Sequence, residues 1–307
     1  MTHTPRMTSA SAPLVHTVEV LDEFGARRPL SIPAERALTV FVDTRELVTL
    51  MTLGAAPELL VLGYLRNQRL VEAVQDIDSI TVDWDVNAAA VKTRAGIERF
   101  DEKTAKRVVT TGCGQGTVFG DLMGEVDKLE LPPSDDPSAR ISQAALYGLL
   151  NAMRLQESTY KSAGSVHGCA LFRQDELLTF VEDVGRHNAI DTIAGWMWMN
   201  MAPTLAAGAA ALPPEGALGP RGGPSALAPE SSQAPLVFYT TGRLTSEMVI
   251  KSAQMGVPII VSRSGITQMG HQLATRLGLA LFGRAINQRF ICYSGFERFD
   301  SQPVAGG

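Results

Sequence analysis

The sequence predicts a mixed α/β fold, α+β overall, with a small strand-rich N-terminal module ahead of a layered α/β C-terminal domain. Three observations carry that expectation. From Thr17 to Lys106 short apolar and β-branched runs alternate with polar residues, the period-two mark of half-buried strands. Ile141, Ala144, Ala145, Leu149, Leu150 and Met153 recur at helical spacing, so one face of a helix is apolar. From Leu236 onward, short apolar runs alternate with longer segments ended by glycine, the rhythm of strands covered by helices.

In chain order, the residues before Thr17 are rich in Thr, Ser, Ala and Pro and read as a disordered tail over 1–16. Strands are expected at Val18–Leu21, Leu38–Val42, Leu47–Leu50 and Ile80–Trp84, with Asp43–Glu46 as a hairpin turn. Ala56–Leu65 has an early Pro57, the acidic Glu58 and apolar helical spacing, the signs of a helix start. These elements make up a module over 17–106. The second domain, 107–299, continues past the Pro-rich connection Leu131–Pro137 into the helix around Ile141–Met153. Cys169–Phe172 and Leu177–Val181 flank the charged turn Arg173–Glu176, and Ala189–Trp198 follows as a helix. Residues 200–235 are mostly Ala, Pro and Gly, a composition that buries too little to offset ordering, so a flexible insertion is expected. Strands at Leu236–Tyr239, Val257–Val261, Leu279–Phe282 and Arg289–Tyr293 then enclose helices Ser246–Met255 and Gln268–Leu277, ahead of a short tail over 300–307.

Composition narrows the function. A net charge of -5 over 307 residues offers no global attraction to nucleic acid or to an anionic membrane. The apolar runs fall short of the ~20 residues that a spanning helix needs, and nothing at the N-terminus has a secretory pattern. Three scattered cysteines cannot build a disulfide framework and suit a reducing compartment, so a cytoplasmic, soluble protein is expected.

Cys113 stands out because it lies in Thr110-Thr111-Gly112-Cys113-Gly114-Gln115-Gly116-Thr117. Glycines on both sides let the backbone turn tightly and leave a thiol uncovered. Such a loop also occurs for structural reasons, and both readings stand on local sequence. Cys169 and Cys292 sit inside apolar strands and read as packing residues. Zinc is disfavoured, because His167-Gly168-Cys169 and Cys113 lack the paired spacing that zinc sites use, and no metal site is expected. The glycine loop also matches neither dinucleotide nor P-loop spacing.

Three arginine-bearing turns follow predicted strands: Gly242-Arg243, Ser262-Arg263-Ser264-Gly265, and Arg284-Ala285-Ile286-Asn287-Gln288-Arg289. Strand-end rims of α/β sheets collect ligands, and guanidinium groups suit an anionic one such as a nucleotide. His167 and His187 could lower the pKa of a thiol if the fold brings them close.

Four blocks in this order, Pro29–Leu38, the Cys113 loop, Glu182–Asp191 and Thr241–Val249, resemble the FdhD family of formate dehydrogenase accessory sulfurtransferases. D-V-G-R-H-N-A and T-G-R-x-T-S-E are the specific parts, and the likeness runs from about Val18 to Phe299. The resemblance implies a C-terminal domain similar to the cytidine deaminase fold without its zinc. It also implies a homodimeric sulfur carrier, a sulfurtransferase that takes sulfur from a cysteine desulfurase as a persulfide on Cys113. The acceptor it implies is Mo-bis(molybdopterin guanine dinucleotide) of the formate dehydrogenase catalytic subunit. Arg284, Ala285, Ile286, Asn287, Gln288 and Arg289 fall where the family binds that cofactor. The family loop usually reads C-G-x-C-G, whereas Gly116 replaces the second cysteine here. A chaperone that presents the cofactor without moving sulfur is the alternative, and a zinc-dependent deaminase is disfavoured.

Overall fold

The computed structural model describes residues 4–98, 100–105, 107–110, 116–119, 126–201 and 234–302. Cys113 and nearly all of the Ala/Pro/Gly insertion lie outside the described residues. No described helix is long and apolar enough to cross a membrane.

The N-terminal module contains β1 (Arg6–Met7), β2 (Val15–Leu21), β3 (Arg27–Pro33), β4 (Arg36–Val42), β5 (Arg45–Thr52), α1 (Pro57–Asn67), β6 (Ile77–Asp83) and β7 (Ala88–Thr93). Its main sheet has the order β1-β6-β7-β4-β5, while β2 and β3 form a separate ribbon. Alternation works as the sequence predicts: Leu38, Val40 and Val42 of β4 are buried, and the residues between them less so. The hairpin turn falls on Asp43 and Thr44, both at positive φ (49° and 91°), as a two-residue connection demands. Neither β3 nor β7 follows from the residue patterns, because Arg27–Pro33 carries two prolines' worth of β-breaking chemistry and Ala88–Ala90 has little strand propensity.

The expectation of a disordered tail over 1–16 is corrected. Residues from Thr4 onward are described, β1 pairs in parallel with β6, and Ala12 donates its N–H to Gly54. Glu58 explains why: its carboxylate accepts from Thr8 Oγ1 at 2.6 Å and from the Ala10 N–H at 2.9 Å, while Trp84 Nε1 donates to the Ala10 carbonyl. Ordered polar partners offset a composition that buries little on its own.

After α2 (Phe100–Ala105) and the paired strands β8 (Arg107–Thr110) and β9 (Gly116–Phe119), the chain continues through β10 (Ile141–Ser142) to α3 (Gln143–Leu155) and α4 (Thr159–Ala163). Then come β11 (His167–Arg173), β12 (Glu176–Asp183), α5 (Arg186–Asn200), β13 (Leu236–Thr240), α6 (Ser246–Gln254), β14 (Ile259–Ser262), α7 (Gln268–Leu277), β15 (Ala280–Ile286), β16 (Arg289–Ser294) and β17 (Phe299–Asp300). Six strands make one sheet, ordered β12-β11-β13-β14-β15-β16, with β13, β14 and β15 parallel.

Both faces of that sheet are covered. Ala170, Phe172, Val237, Tyr239, Ile259 and Phe282 pack with Leu146, Leu149 and Leu150 of α3. Cys169, Leu171, Phe238, Ile260 and Leu281 pack on the other side with residues of α5, α6 and α7. Double burial is why the central strands read as unbroken apolar runs. Arg298 ties the Pro-rich connection down by donating to the carbonyls of Pro132, Pro133 and Ala139.

The two modules meet through α1 and α5, whose backbones touch. A Cβ on Gly63 would sit 1.7 Å from the Asp191 carbonyl oxygen, and one on Gly195 would sit 2.1 Å from that of Leu59. Only glycine fits at this crossing. The helix expected over Ala189–Trp198 begins earlier, at Arg186, with Gly185 as its N-cap.

Candidate functional site

Because β13, β14 and β15 run parallel, the arginine-bearing turns that follow them lie on one rim of the sheet. They are also stitched together: the Arg263 N–H donates to Thr240, Leu244 N–H to Gly265, and Arg284 N–H to Ser264. Ser262 Oγ donates to the Gly242 carbonyl at 2.7 Å. The β11 start at His167 and the β12 end at Asp183 are register partners, so they share the rim.

The Arg284–Arg289 segment forms the tip of the β15–β16 hairpin, with Arg284 and Asn287 at positive φ (52° and 56°). Arg284, Ile286, Asn287, Gln288 and Arg289 are exposed, but Ala285 is only 1% exposed and belongs to the core beneath. Five of the six expected residues can therefore touch a ligand with their side chains, and Ala285 supports them from below. A cleft of about 750 Å³ opens beside the tip, lined by Arg154, Arg284 and Arg289 with Tyr147, Asn151 and Gln288 among others, and no acidic residue lines it among the described residues. A second pocket of about 230 Å³ lies between the tip and the rest of the rim, where Gly168, Thr241, Arg263 and Asn287 meet Tyr160 and Glu182. Such open guanidinium and amide donors match planar acceptors and oxyanions.

At the other end of the rim, positive groups gather. Burial lowers the pKa of His167, and the nearby Arg186, His187 and Arg243 lower it further. Arg186 is buried and packs across Gly242, where an added Cβ would sit 2.7 Å from the Arg186 side chain.

Directly beneath lies a polar network that joins both signature blocks to the N-terminal module. Asp183 accepts from Thr52 Oγ1 (2.5 Å), the Leu53 N–H (3.2 Å), the Gly185 N–H (3.1 Å) and Asn188 Nδ2 (2.9 Å). Asn188 Nδ2 also donates to the Met51 carbonyl at 2.6 Å. Lys251 Nζ lies 2.9 Å from Asp191 and 3.3 Å from Glu247, Asn67 Nδ2 donates to Asp191 at 2.7 Å, and His187 Nδ1 is 2.8 Å from Glu247 Oε2. Burial alone would lower the Lys251 pKa, but Asp191 and Glu247 reverse this and hold it raised. Such a group stays charged because its partners are anions in a dry setting.

Sequence reasoning placed the rim turns and both histidines but assigned no role to Asp183, Asn188, Asp191, Glu247 or Lys251. For all but Asp183, which ends β12, the signal was polar residues within largely apolar helices, most plainly in α5. Among the thiols, Cys169 is fully buried and donates toward Thr240 Oγ1 at 3.3 Å. Burial pushes its pKa up to about 12, and that of Cys292 up to about 11. Both suit packing roles. Cys113 lies outside the described residues, and Gly116 opens β9. No cluster of three or more His, Cys, Asp or Glu that could hold a metal occurs among the described residues.

Comparison with known proteins covers both modules. The sequence model of the FdhD/NarQ family matches residues 33–211 and 225–300. The sulfur carrier protein FdhD of Listeria monocytogenes serotype 4b (strain F2365) is 28% identical over 269 residues, spanning 87% of this chain and 91% of the relative. The protein of the same name from Bacillus subtilis (strain 168) is 28% identical over 265 residues, spanning 86% and 88%. A solved structure from Desulfotalea psychrophila, described as a formate dehydrogenase accessory protein, covers 94% of this chain and 100% of its own, with a TM-score of 0.65 and 22% identity. At that identity the likeness speaks for the fold alone.

Proposed function

This chain belongs to the FdhD/NarQ family, and from that premise we propose that it is a cytoplasmic sulfur carrier serving a formate dehydrogenase. The observation that carries the reading is the match to relatives named sulfur carriers across both modules.

In this reading Cys113 is the carrier. Its thiolate attacks the outer sulfur of a persulfide on a cysteine desulfurase, one S–S bond forms as another breaks, and the desulfurase cysteine leaves as a thiolate. The outer sulfur is then delivered to Mo-bis(molybdopterin guanine dinucleotide), the cargo cofactor of the formate dehydrogenase catalytic subunit. The hairpin tip at Arg284–Arg289 is the cradle for its guanine end, a role supported by open donors beside a cleft of about 750 Å³. Two copies of the chain act together.

Gly116 alters the discharge step. With a second loop cysteine absent at that position, the sulfur cannot be released by closing a disulfide within the loop. An external thiolate attacking the inner sulfur of Cys113 forms a mixed disulfide and expels the outer sulfur as hydrosulfide, so two thiols supply both electrons. Transfer straight to the cargo cofactor is the other route, and it would require the cofactor's metal to supply two electrons while Cys113 leaves as the thiolate.

The same glycine favours a second reading, a chaperone that presents the cofactor and moves no sulfur. Incubation with a cysteine desulfurase and cysteine, followed by intact-mass measurement, separates the two. A carrier gains about 32 Da, one sulfur atom, and Cys113→Ala gains nothing. Equal loading of parent and variant ends the assignment of Cys113, and no gain in the parent leaves the chaperone.

A further inference from the structure

We propose that the β2–β3 ribbon is a docking arm for a second copy of this chain: it lies in the partner's groove along the open edge of β12, and the partner's ribbon does the same in return. The inference deepens the carrier reading, resting on its two copies acting together and adding where they join.

The ribbon exposes what a soluble surface normally hides. Of the twelve large apolar side chains exposed among the described residues, five stand between residues 15 and 33: Val15, Leu21, Phe24, Leu30 and Ile32, with Leu21 67% and Phe24 87% exposed. Cross-strand pairing sets Val18 opposite Leu30 and His16 opposite Ile32, two steps apart, so these share one face. The ribbon pairs with no other strand among the described residues, and two strands alone are marginal in water. An apolar patch concentrated on such an arm marks an interaction surface.

A seat for it lies on the same chain. β12 ends the six-stranded sheet, and among the described residues no strand pairs on its outer side. Along it runs a groove of about 760 Å³, walled by Leu14, Leu59, Phe180, Val181 and Trp196. Past a register irregularity at Leu178, residues 179–182 line the groove and include neither the proline nor the lysine that commonly blunts an edge. An open apolar edge of this kind accepts an extended segment.

Charge selects the occupant. Glu157 and Glu182 line the groove and no basic residue does among the described ones, while β3 opens with Arg27 and Arg28. Arg27 is paired with Glu19 inside the ribbon. The Glu182 carboxylate already receives the Thr159 and Tyr160 N–H groups. Arg28 and Glu157 are both exposed, and neither side chain has an ionic partner among the described residues, so each suits the other across two copies. Antiparallel pairing of β12 with its own copy, centred on the strand, would instead set Glu176 against Asp183, acid against acid.

The contact also closes on itself. Val15, the first residue of β2, lines the groove, so the root of the arm and the seat are adjacent. A two-fold axis beside them makes both contacts at once and gives a closed pair rather than an open chain. Ser158, Phe180 and Glu182 line both this groove and the rim pocket of about 230 Å³, so the partner's ribbon borders the ligand rim.

The test is sedimentation velocity of the full chain over a dilution series, for the parent, for Leu21→Glu with Phe24→Glu, for Arg28→Glu, for Glu157→Arg, and for the last two combined. All four positions are exposed, and thermal melts check that folding is kept. The parent should sediment as a dimer at micromolar concentration, and the paired apolar replacements should weaken dimerisation about hundredfold or more. Arg28→Glu and Glu157→Arg should each weaken it about tenfold, because a two-fold pair makes each change twice, and the combined swap should return to within about threefold of the parent. A parent still monomeric at about 100 μM overturns the inference and leaves ribbon and groove to a different protein, while sulfur loading of Cys113, read by mass, stands or falls separately. A dimer that Leu21→Glu with Phe24→Glu leaves unchanged overturns it by putting the interface elsewhere, and so does a charge swap that fails to restore dimerisation.

Discussion

The hairpin tip and the network beneath α5 use the same kinds of residue for opposite ends. At the tip, Arg284, Asn287, Gln288 and Arg289 stand in solvent beside an open cleft. Under α5, Lys251 is held by Asp191 and Glu247, and Asp183 by four donors. Charge satisfied inside the fold holds modules together, and charge left on the rim is free to meet a ligand. The signature blocks straddle this division: Asp183, Asn188 and Asp191 serve the junction, Arg186 and His187 are buried at its edge, and Arg243 is exposed on the rim.

The interior side should be the more fragile. Lys251→Met leaves two buried carboxylates against an apolar side chain, and breaking such a network costs about 3–5 kcal/mol. Equilibrium urea denaturation reads this directly, and a loss under about 1 kcal/mol would mean the network is not what joins the helices. Gly195→Ala forces α1 and α5 apart at a backbone contact and should cost about 1–3 kcal/mol in the same assay. A neutral result there contradicts the close crossing.

The rim should behave in the opposite way. Arg289→Ala is expected to stay within about 0.5 kcal/mol of the parent in stability while losing most of its affinity for a guanine nucleotide. Loss of stability together with affinity would erase the contrast between the two regions. Thiols sharpen the same contrast: with a pKa pushed up to about 12, Cys169 is thiolate to about one part in ten thousand at pH 8. Iodoacetamide under native conditions should therefore leave Cys169 unmodified while Cys113 reacts, as peptide mass mapping will report.

The smallest expected effect is a pH dependence from His167. Its folded-state pKa is lowered, so between that value and the unfolded value of about 6.5 the unfolded chain binds more protons. Stability should rise with pH through that window and be complete above it, and His167→Gln should flatten the slope. A slope of opposite sign would mean that neither burial nor the neighbouring cations govern His167.

Much of this architecture is legible in the residues. Alternation in Leu38–Val42, the early Pro57 and Glu58 of α1, and the strand–helix rhythm after Leu236 all correspond to elements of the structure. So does the gathering of three arginine-bearing turns, since parallel strands must end on one side. What escaped depends on partners far apart in sequence. Ordering of Thr4–Val15 needs Glu58 and Trp84, and the glycine crossing needs Gly63 to meet a helix more than a hundred residues away. Local periodicity carries no trace of either. Burial of Ala285 within an otherwise exposed tip is likewise set by the sheet beneath it.

The most direct test of the account is a crystal structure of the full chain with GDP. It predicts the guanine against the Arg284–Arg289 tip and the Cys113 thiol facing the same cavity. A nucleotide bound away from the hairpin, or a Cys113 side chain enclosed in the apolar core, would contradict it.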